Sequence, residues 1–296
     1  MNKTWLITGI SSGIGRLLAE KALARGDQVF GTSRNGDALG DLRERHAQRL
    51  HVLGLDLRMP DAVRQAVDSA FQRAGRIDFV VSNAAYGVFG AAEETNDQQL
   101  QDIVGVNLVG SIALVRAALP HLRAQGGGRI LQISSEGGQR AYAGFSLYHA
   151  TKWGVEGFVE AVRQEVAAFG IQIVLVEPGP ARTDFGRHLV RAAPMAAYAG
   201  TPVQALRQAL DGGWPIKGDP DRMTTAMLAL ADRPGPLPMR LVLGADAYAG
   251  LKEAFAGRLS ELEDQKDVAL SADHTPQELA RMQTQPAPGN QSKELQ

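Results

Sequence analysis

The segment Trp5-Leu6-Ile7-Thr8-Gly9-Ile10-Ser11-Ser12-Gly13-Ile14-Gly15-Arg16 limits the fold more than any other stretch of this chain. A short run with strand character leads into three glycines at fixed spacing, and an amphipathic helix pattern follows over 13–25. In such a turn Gly9 permits the tight reversal, Gly13 lets backbone approach a pyrophosphate, and Gly15 lets helix pack on strand. Free N–H groups at the helix start then meet the anion. Gly9, Ser11, Ser12, Gly13, Ile14 and Gly15 are therefore the expected phosphate-binding residues of a dinucleotide site. A turn that merely needs small residues does not explain this spacing together with Thr8, Ser11 and Ser12.

The remaining chain repeats the alternation. Strands are expected over 5–8, 28–33, 50–55, 77–82, 129–134, 171–177 and 241–243. Helices are expected over 13–25, 38–48, 60–74, 97–124, 148–169 and 220–231. Most of the strands are apolar on both faces, as in parallel strands covered by helices on each side. The prediction is one α/β domain over 1–265, a doubly wound sheet of about seven parallel strands with helices on both faces. Residues 184–219 interrupt the alternation, where a substrate-binding loop or lid belongs, and 266–296 read as a polar, loosely docked tail.

Thirty-one Lys plus Arg against 32 Asp plus Glu leave a formal charge of −1, which offers no electrostatic reason to expect nucleic acid or an anionic membrane as partner. Zero cysteines exclude disulfides, thiolate metal sites and a cysteine nucleophile, and fit a reducing cytoplasm. The six histidines form no ligand-spaced cluster, so no metal is expected. Met1-Asn2-Lys3 runs directly into the first strand, so no leader is expected. Apolar stretches are broken by charge, Gly or Pro, and no membrane span is expected either.

The tip of the second strand reads Val29-Phe30-Gly31-Thr32-Ser33-Arg34-Asn35. It lacks the carboxylate that pairs with a ribose 2′-hydroxyl and offers Arg34, which suits a 2′-phosphate, so NADP(H) is favoured over NAD(H). The competing reading makes Arg34 a solvated loop charge. Asp56-Leu57 and Asn83-Ala84-Ala85 end the third and fourth strands on the same edge. Asp56 either accepts from the adenine amine or caps the helix beginning near Pro60.

Tyr148 and Lys152 stand four residues apart at the start of a long helix, on one face. Acid–base work by tyrosine near pH 7 needs its pKa lowered from about 10 by roughly 3, about 4 kcal/mol, and a neighbouring ammonium acts in that direction. A surface aromatic–cation contact is the plainer reading. Ser134-Ser135 ends the fifth strand, where a hydroxyl either bonds a substrate carbonyl or satisfies loop backbone. Asn107 lies on an apolar helical stripe with Leu100, Ile103, Val104, Leu108, Ser111, Ile112 and Val115, as a helix-bending contact or a relay member. Pro178-Gly179 turn the chain after the sixth strand, and Thr183 falls where it can hold a nicotinamide carboxamide. Glu136 and Glu177 flank the presumed pocket, facing solvent or a polar substrate group.

With these residues in view, the chain resembles the short-chain dehydrogenase/reductase family in its non-extended subgroup. The matches are Thr8-Gly9-x-x-x-Gly13-x-Gly15, Asp56, Asn83-Ala84-Ala85, Asn107, Ser135, Tyr148-x-x-x-Lys152, and Pro178-Gly179 with Thr183. The resemblance implies a Rossmann fold, Tyr148 as general acid/base, and Lys152 lowering its pKa and holding the nicotinamide ribose. It further implies that Ser135 orients the carbonyl, Asn107 supports a water-linked relay through Lys152, and hydride moves between nicotinamide and the substrate carbon. Homodimers or homotetramers are usual among such proteins. Two departures stand out: Ala85 replaces the usual glycine, and Ser12 stands where some NADP-preferring members carry a basic residue. The expectation is a carbonyl reductase or alcohol dehydrogenase for a small-to-medium apolar ketone or secondary alcohol, with Phe185, Leu189, Met195, Tyr198 and Trp214 forming either a lid or ordinary packing. The alternatives are a 3-oxoacyl-(acyl-carrier) reductase and a non-catalytic NADP-sensing binding protein.

Overall fold

The computed structural model describes residues 2–34, 36–213 and 215–284. Contacts divide the chain into two units, the first running to Leu251 and the second from Lys252.

The first unit is built on β1 (Thr4–Thr8), β2 (Gln28–Ser33), β3 (Leu50–Gly54), β4 (Phe79–Ser82), β6 (Gly128–Ile133), β7 (Ile171–Pro178) and β9 (Arg240–Leu243), with two further short strands, β5 (Val88–Phe89) and β8 (Val190–Arg191). The seven long strands form one parallel sheet in the order β3-β2-β1-β4-β6-β7-β9. Helices α1 (Gly13–Ala24), α2 (Gly40–Arg45), α3 (Pro60–Ala74), α4 (Asp97–Val104), α5 (Ser111–Ala124), α6 (Ser146–Val166), α7 (Pro202–Asp211) and α8 (Pro220–Ala229) connect them. The expected α/β architecture is therefore present.

Alternating side chains of each strand feed two cores. Trp5, Ile7, Phe79 and Val81 pack with Leu18 and Leu23 of α1 and Met223 and Met227 of α8. Leu6, Phe30 and Val80 point the other way, into Val63 and Val67 of α3, Leu114 and Val115 of α5, and Val159 and Val162 of α6. Fully burying such a side chain contributes about 1.5–3 kcal/mol, which is why both strand faces are apolar. The strand order reverses between β1 and β4, so a crevice opens at their carboxyl ends, beside Gly9 and Asn83.

The stretch expected as one helix over 97–124 is broken by a π turn, Gly105–Gly110. The extra residue shifts the buried stripe to Ile103, Asn107, Gly110, Ser111, Leu114 and Ala118, and leaves Leu100 exposed. A Cβ on Gly110 would lie 2.7 Å from Leu57 Cβ. By length and composition alone Asp97–Ala124 is apolar enough to cross a membrane, at mean hydropathy 1.7, contrary to the expectation that no stretch would be. Here α5 packs on α3, β4, β6 and α6.

Beyond Pro178 the chain makes a long excursion. Its base is closed by a bridge between Ala181 and Gly218, and β8 within it pairs parallel with β5. Trp214 lies outside the described residues. The last strand is followed by α9 (Ala245–Asp264), and the second unit contains α10 (Lys266–Ser271) and α11 (Pro276–Thr284).

Candidate active site

The glycine turn lies at the crevice. Gly9 has φ +71° and Gly13 +58°, a region that favours glycine. Ser12 takes the N-cap position of α1 with extended backbone and no side-chain cap, and the first turn carries no acidic residue. A Cβ on Gly13 would meet only Thr183, at 3.6 Å, whereas one on Gly9 would come within 2.8 Å of Ala84 Cβ, and one on Gly15 would overlap Asn83. Gly13 thus keeps the outer surface open, while Gly9 and Gly15 admit the Asn83-Ala84 segment. Thr8 organises the contact: its Oγ1 accepts from the Asn83 and Ala84 N–H groups at 2.9 and 3.1 Å. Asn83 Nδ2 donates to Thr8 O at 2.8 Å and Gly9 O at 3.2 Å. An open glycine, an uncapped helix start and no nearby carboxylate in the first turn fit a dinucleotide pyrophosphate.

Arg34 stands exposed at the β2 tip, near enough to Asp56 to help hold its carboxyl low. The larger cause of that lowering is Arg58, which binds Asp56 through Nη2 at 2.7 Å and through its backbone N–H at 2.9 Å. Asp56 does not cap α3, whose N-cap is Met59. Leu57 is buried beneath Gly110, and Ile14 packs on the core. Arg58, which also binds Asp102 at 3.0 Å, is not apparent from the sequence because its partners are set by the fold. Gly179 packs closely on Ala247, and Thr183 stands across from Gly13 with its Oγ1 accepting from Phe185 N–H at 3.3 Å.

Tyr148 and Lys152 open α6 from its buried side, 8% and 2% exposed. The Lys152 Nζ lies 5.7 Å from the Tyr148 ring centroid and donates to Ile133 O at 2.9 Å. Ser135 lies close enough to the Tyr148 phenol to pull its pKa down, and the Ser135 Oγ accepts from Gly137 N–H at 3.0 Å. Burial pushes the phenol up to about 12, against the pull of the Ser135 hydroxyl, and the Glu136 carboxylate adds to the rise. Burial also presses Lys152 down to about 8, against the attraction of Glu156. The direction of the phenol's shift is set by desolvation and not by the ammonium, contrary to the expectation from spacing.

Asn107, 1% exposed, sits in the π turn. Its Nδ2 donates to Tyr86 O at 2.8 Å and Thr151 Oγ1 at 3.3 Å, and its Oδ1 accepts from Tyr86 N–H at 3.1 Å. The amide therefore braces the bend against α6 beside Lys152. Glu136 and Glu177 both lie buried, which corrects the solvent-facing alternative: Glu136 has Arg140 at 3.9 Å, and Glu177 binds Arg240.

The excursion covers the tyrosine. The Phe185 ring packs edge-on at 5.8 Å from the Tyr148 ring, and Phe185 and Leu189 press on Gly87. Glu94 fastens this segment. Its side chain is fully buried, and it accepts from Ala91 N–H and Met195 N–H at 2.8 Å each and from Arg207 Nη2 at 2.6 Å. Arg207 in turn lies over the Phe89 ring, at 5.5 Å. Replacing Glu94 by Gln strands the Arg207 charge, and urea denaturation is expected to read a loss of about 3 kcal/mol; a loss below about 0.5 kcal/mol would mean the pair holds nothing.

A doubly wound sheet, a glycine cradle at its reversal point and a serine, tyrosine and lysine at its edge define a nucleotide-dependent oxidoreductase. The chain belongs to the short-chain dehydrogenase family, whose family model matches residues 3–193. It is 37% identical over 257 residues to Oxidoreductase BOA17 of Botryotinia fuckeliana (strain B05.10), covering 84% of this chain and 92% of that one. It is 31% identical over 185 residues to the NADPH-dependent 3-dehydrocapnine reductase of Ornithobacterium rhinotracheale, covering 60% and 65%. The crystal structure of a short-chain dehydrogenase from Streptomyces avermitilis superposes with TM-score 0.86 at 37% identity, over 93% of this chain and all of that one. The protein is thus an NAD(P)-dependent dehydrogenase/reductase, of a family that binds nicotinamide cofactors and acts on small molecules.

Proposed function

We propose that the protein is an NADP(H)-preferring carbonyl reductase or alcohol dehydrogenase acting on a small-to-medium, largely apolar ketone or secondary alcohol. The observation that carries this reading is the Tyr148 phenol set between Ser135 and the Phe185 ring, with Lys152 Nζ 5.7 Å from the ring centroid. A carbonyl oxygen set between the two hydroxyls accepts from Ser135 and takes its proton from Tyr148. Bound nicotinamide supplies or accepts the hydride at the carbon. The positive charge of Lys152 stabilises the phenolate left behind, and Asn107 supports the water-linked path that returns a proton. Gly9, Ser11, Ser12, Gly13, Ile14 and Gly15 hold the pyrophosphate, with Asp56, Leu57, Asn83 and Ala84 along the adenosine side. Lys152 holds the nicotinamide ribose, and Pro178, Gly179 and Thr183 hold the carboxamide.

Arg34 reads the 2′-phosphate in this proposal. The NADPH dependence in the name of the Ornithobacterium relative supports the same preference. Arg34→Ala is expected to raise the Kd for NADPH at least about tenfold, the weight of one charge-assisted phosphate contact, and to leave NADH within about twofold. Equal weakening of both removes the phosphate role. Turnover of a ketone panel that includes an acyl thioester separates the readings: activity mainly on the thioester favours an acyl-carrier reductase, and tight NADP binding without any turnover favours a sensor. The absence of cysteine suits a cytoplasmic enzyme, and light scattering tests the proposed homodimer or homotetramer.

A further inference from the structure

The loop that carries Ser135 is gripped by a buried ion network that none of the roles above uses. Glu156 stands one helical turn beyond Lys152 on α6 and is 1% exposed. Its Oε1 accepts from Ser134 Oγ and its Oε2 from Gln139 Nε2, so the carboxylate holds the loop on both sides of Ser135. The backbone comes so close that a Cβ on Gly138 would overlap Glu156 Oε1 and lie 2.7 Å from Ser134 Oγ. From the far side Arg240, at the start of β9, binds Glu156 Oε2 at 2.6 Å and also reaches Glu177 and Glu160. Glu177 is fully buried, and its Oε2 has no hydrogen-bond partner.

Such a network is a poor choice for stability alone. Two buried carboxylates share one guanidinium, and well-packed apolar side chains of similar volume commonly serve as well or better. What an apolar residue at 156 cannot do is accept from Ser134 and Gln139 while anchored to the sheet. Resting on the reading of Ser135 and Tyr148 as the reacting pair, we propose that Glu156 is a positioning residue: clamped by Arg240, it fixes the Ser134–Gln139 loop so that Ser135 Oγ stays against the Tyr148 hydroxyl. Its charge also faces Lys152 and opposes the desolvation of that ammonium.

The test is Glu156→Gln in the full chain. A carboxamide has one acceptor oxygen and cannot serve Ser134, Gln139 and Arg240 together. Expected are a kcat lower by about 10- to 100-fold, in line with small misplacements of a catalytic group, and a KM for NADPH within about twofold. Amide exchange at Gly137, Gly138, Gln139 and Arg140, whose N–H groups bond to Ser135 and Glu136, is expected to rise at least about tenfold, while β6 and β7 stay protected. Glu177→Gln perturbs the same Arg240 without touching the loop and is expected to move neither readout beyond about twofold. Should Glu156→Gln fail to fold, Ser134→Ala removes one of the two links and is expected to act in the same direction at about 3- to 10-fold. Unchanged loop exchange, a raised exchange with unchanged kcat, or exchange rising equally through β6 and β7 would each overturn the proposal. If the wild type reduces no carbonyl, the functional reading falls, and the exchange pattern alone still decides whether Glu156 clamps the loop.

Discussion

Tyr148→Phe is expected to lower kcat by about 10³-fold while leaving the Kd for NADPH within about twofold. The ring stays in place, because its packing against Phe145 and Phe185 does not involve the hydroxyl. What goes is the phenol proton beside Ser135. Single-turnover reduction of a ketone, read at 340 nm, checks the first half, and quenching of tryptophan fluorescence by NADPH checks the second. A variant that keeps more than about a tenth of wild-type kcat would mean that the proton comes from elsewhere, and the mechanism would have to be rebuilt around another donor.

The features legible in the sequence share a physical cause: they depend on neighbours in the chain. Trp5, Leu6 and Ile7 announce a strand covered on both faces, and the structure sends Leu6 to one core and Trp5 and Ile7 to the other. The Tyr148–Lys152 spacing places both on one helical face by geometry alone. What stayed hidden depends on partners far along the chain. The π turn is stabilised by Asn107 bonding the backbone of Tyr86, and no periodicity within 97–124 could reveal that the helix would gain a residue there. The same holds for Arg58 with Asp102, Arg207 with Glu94, and Arg240 with Glu156, each pair joined only once the strands are ordered. Burial is the other blind spot. Spacing puts an ammonium near a phenol, but only the fold removes both from water, and that removal reverses the expected direction of the tyrosine shift.

Lys152→Met is expected to abolish turnover and yet to stabilise the protein at pH 7. Burial lowers the folded pKa of Lys152 to about 8, from 10.5 for an ordinary lysine. Below pH 8 both folded and unfolded chains carry the proton, and the folded one bears the whole cost of a desolvated charge, on the order of 3 kcal/mol. Methionine removes that cost but leaves Ile133 O without its donor, a loss of about 1 kcal/mol, so a net gain of about 2 kcal/mol remains. Between pH 8 and 10.5 the native lysine releases its proton while the unfolded chain keeps it, so wild-type stability rises relative to the variant. The advantage of Lys152→Met should therefore be largest below pH 8, cancel between pH 8 and 10.5, and reverse to a deficit of about 1 kcal/mol, the lost hydrogen bond, as pH approaches 10.5. Tyr148, raised to about 12, disfavours the folded state above pH 10 in both proteins and largely cancels in the comparison. Paired urea titrations across this range are the measurement. An advantage that does not change with pH would mean that Lys152 is not held charged against its surroundings, and a less stable variant at pH 7 would mean that the ammonium is bound there by more than Glu156 and one carbonyl. Either result would remove the ground for treating this lysine as a charge the fold keeps, at a cost in stability, for the sake of the phenol beside it.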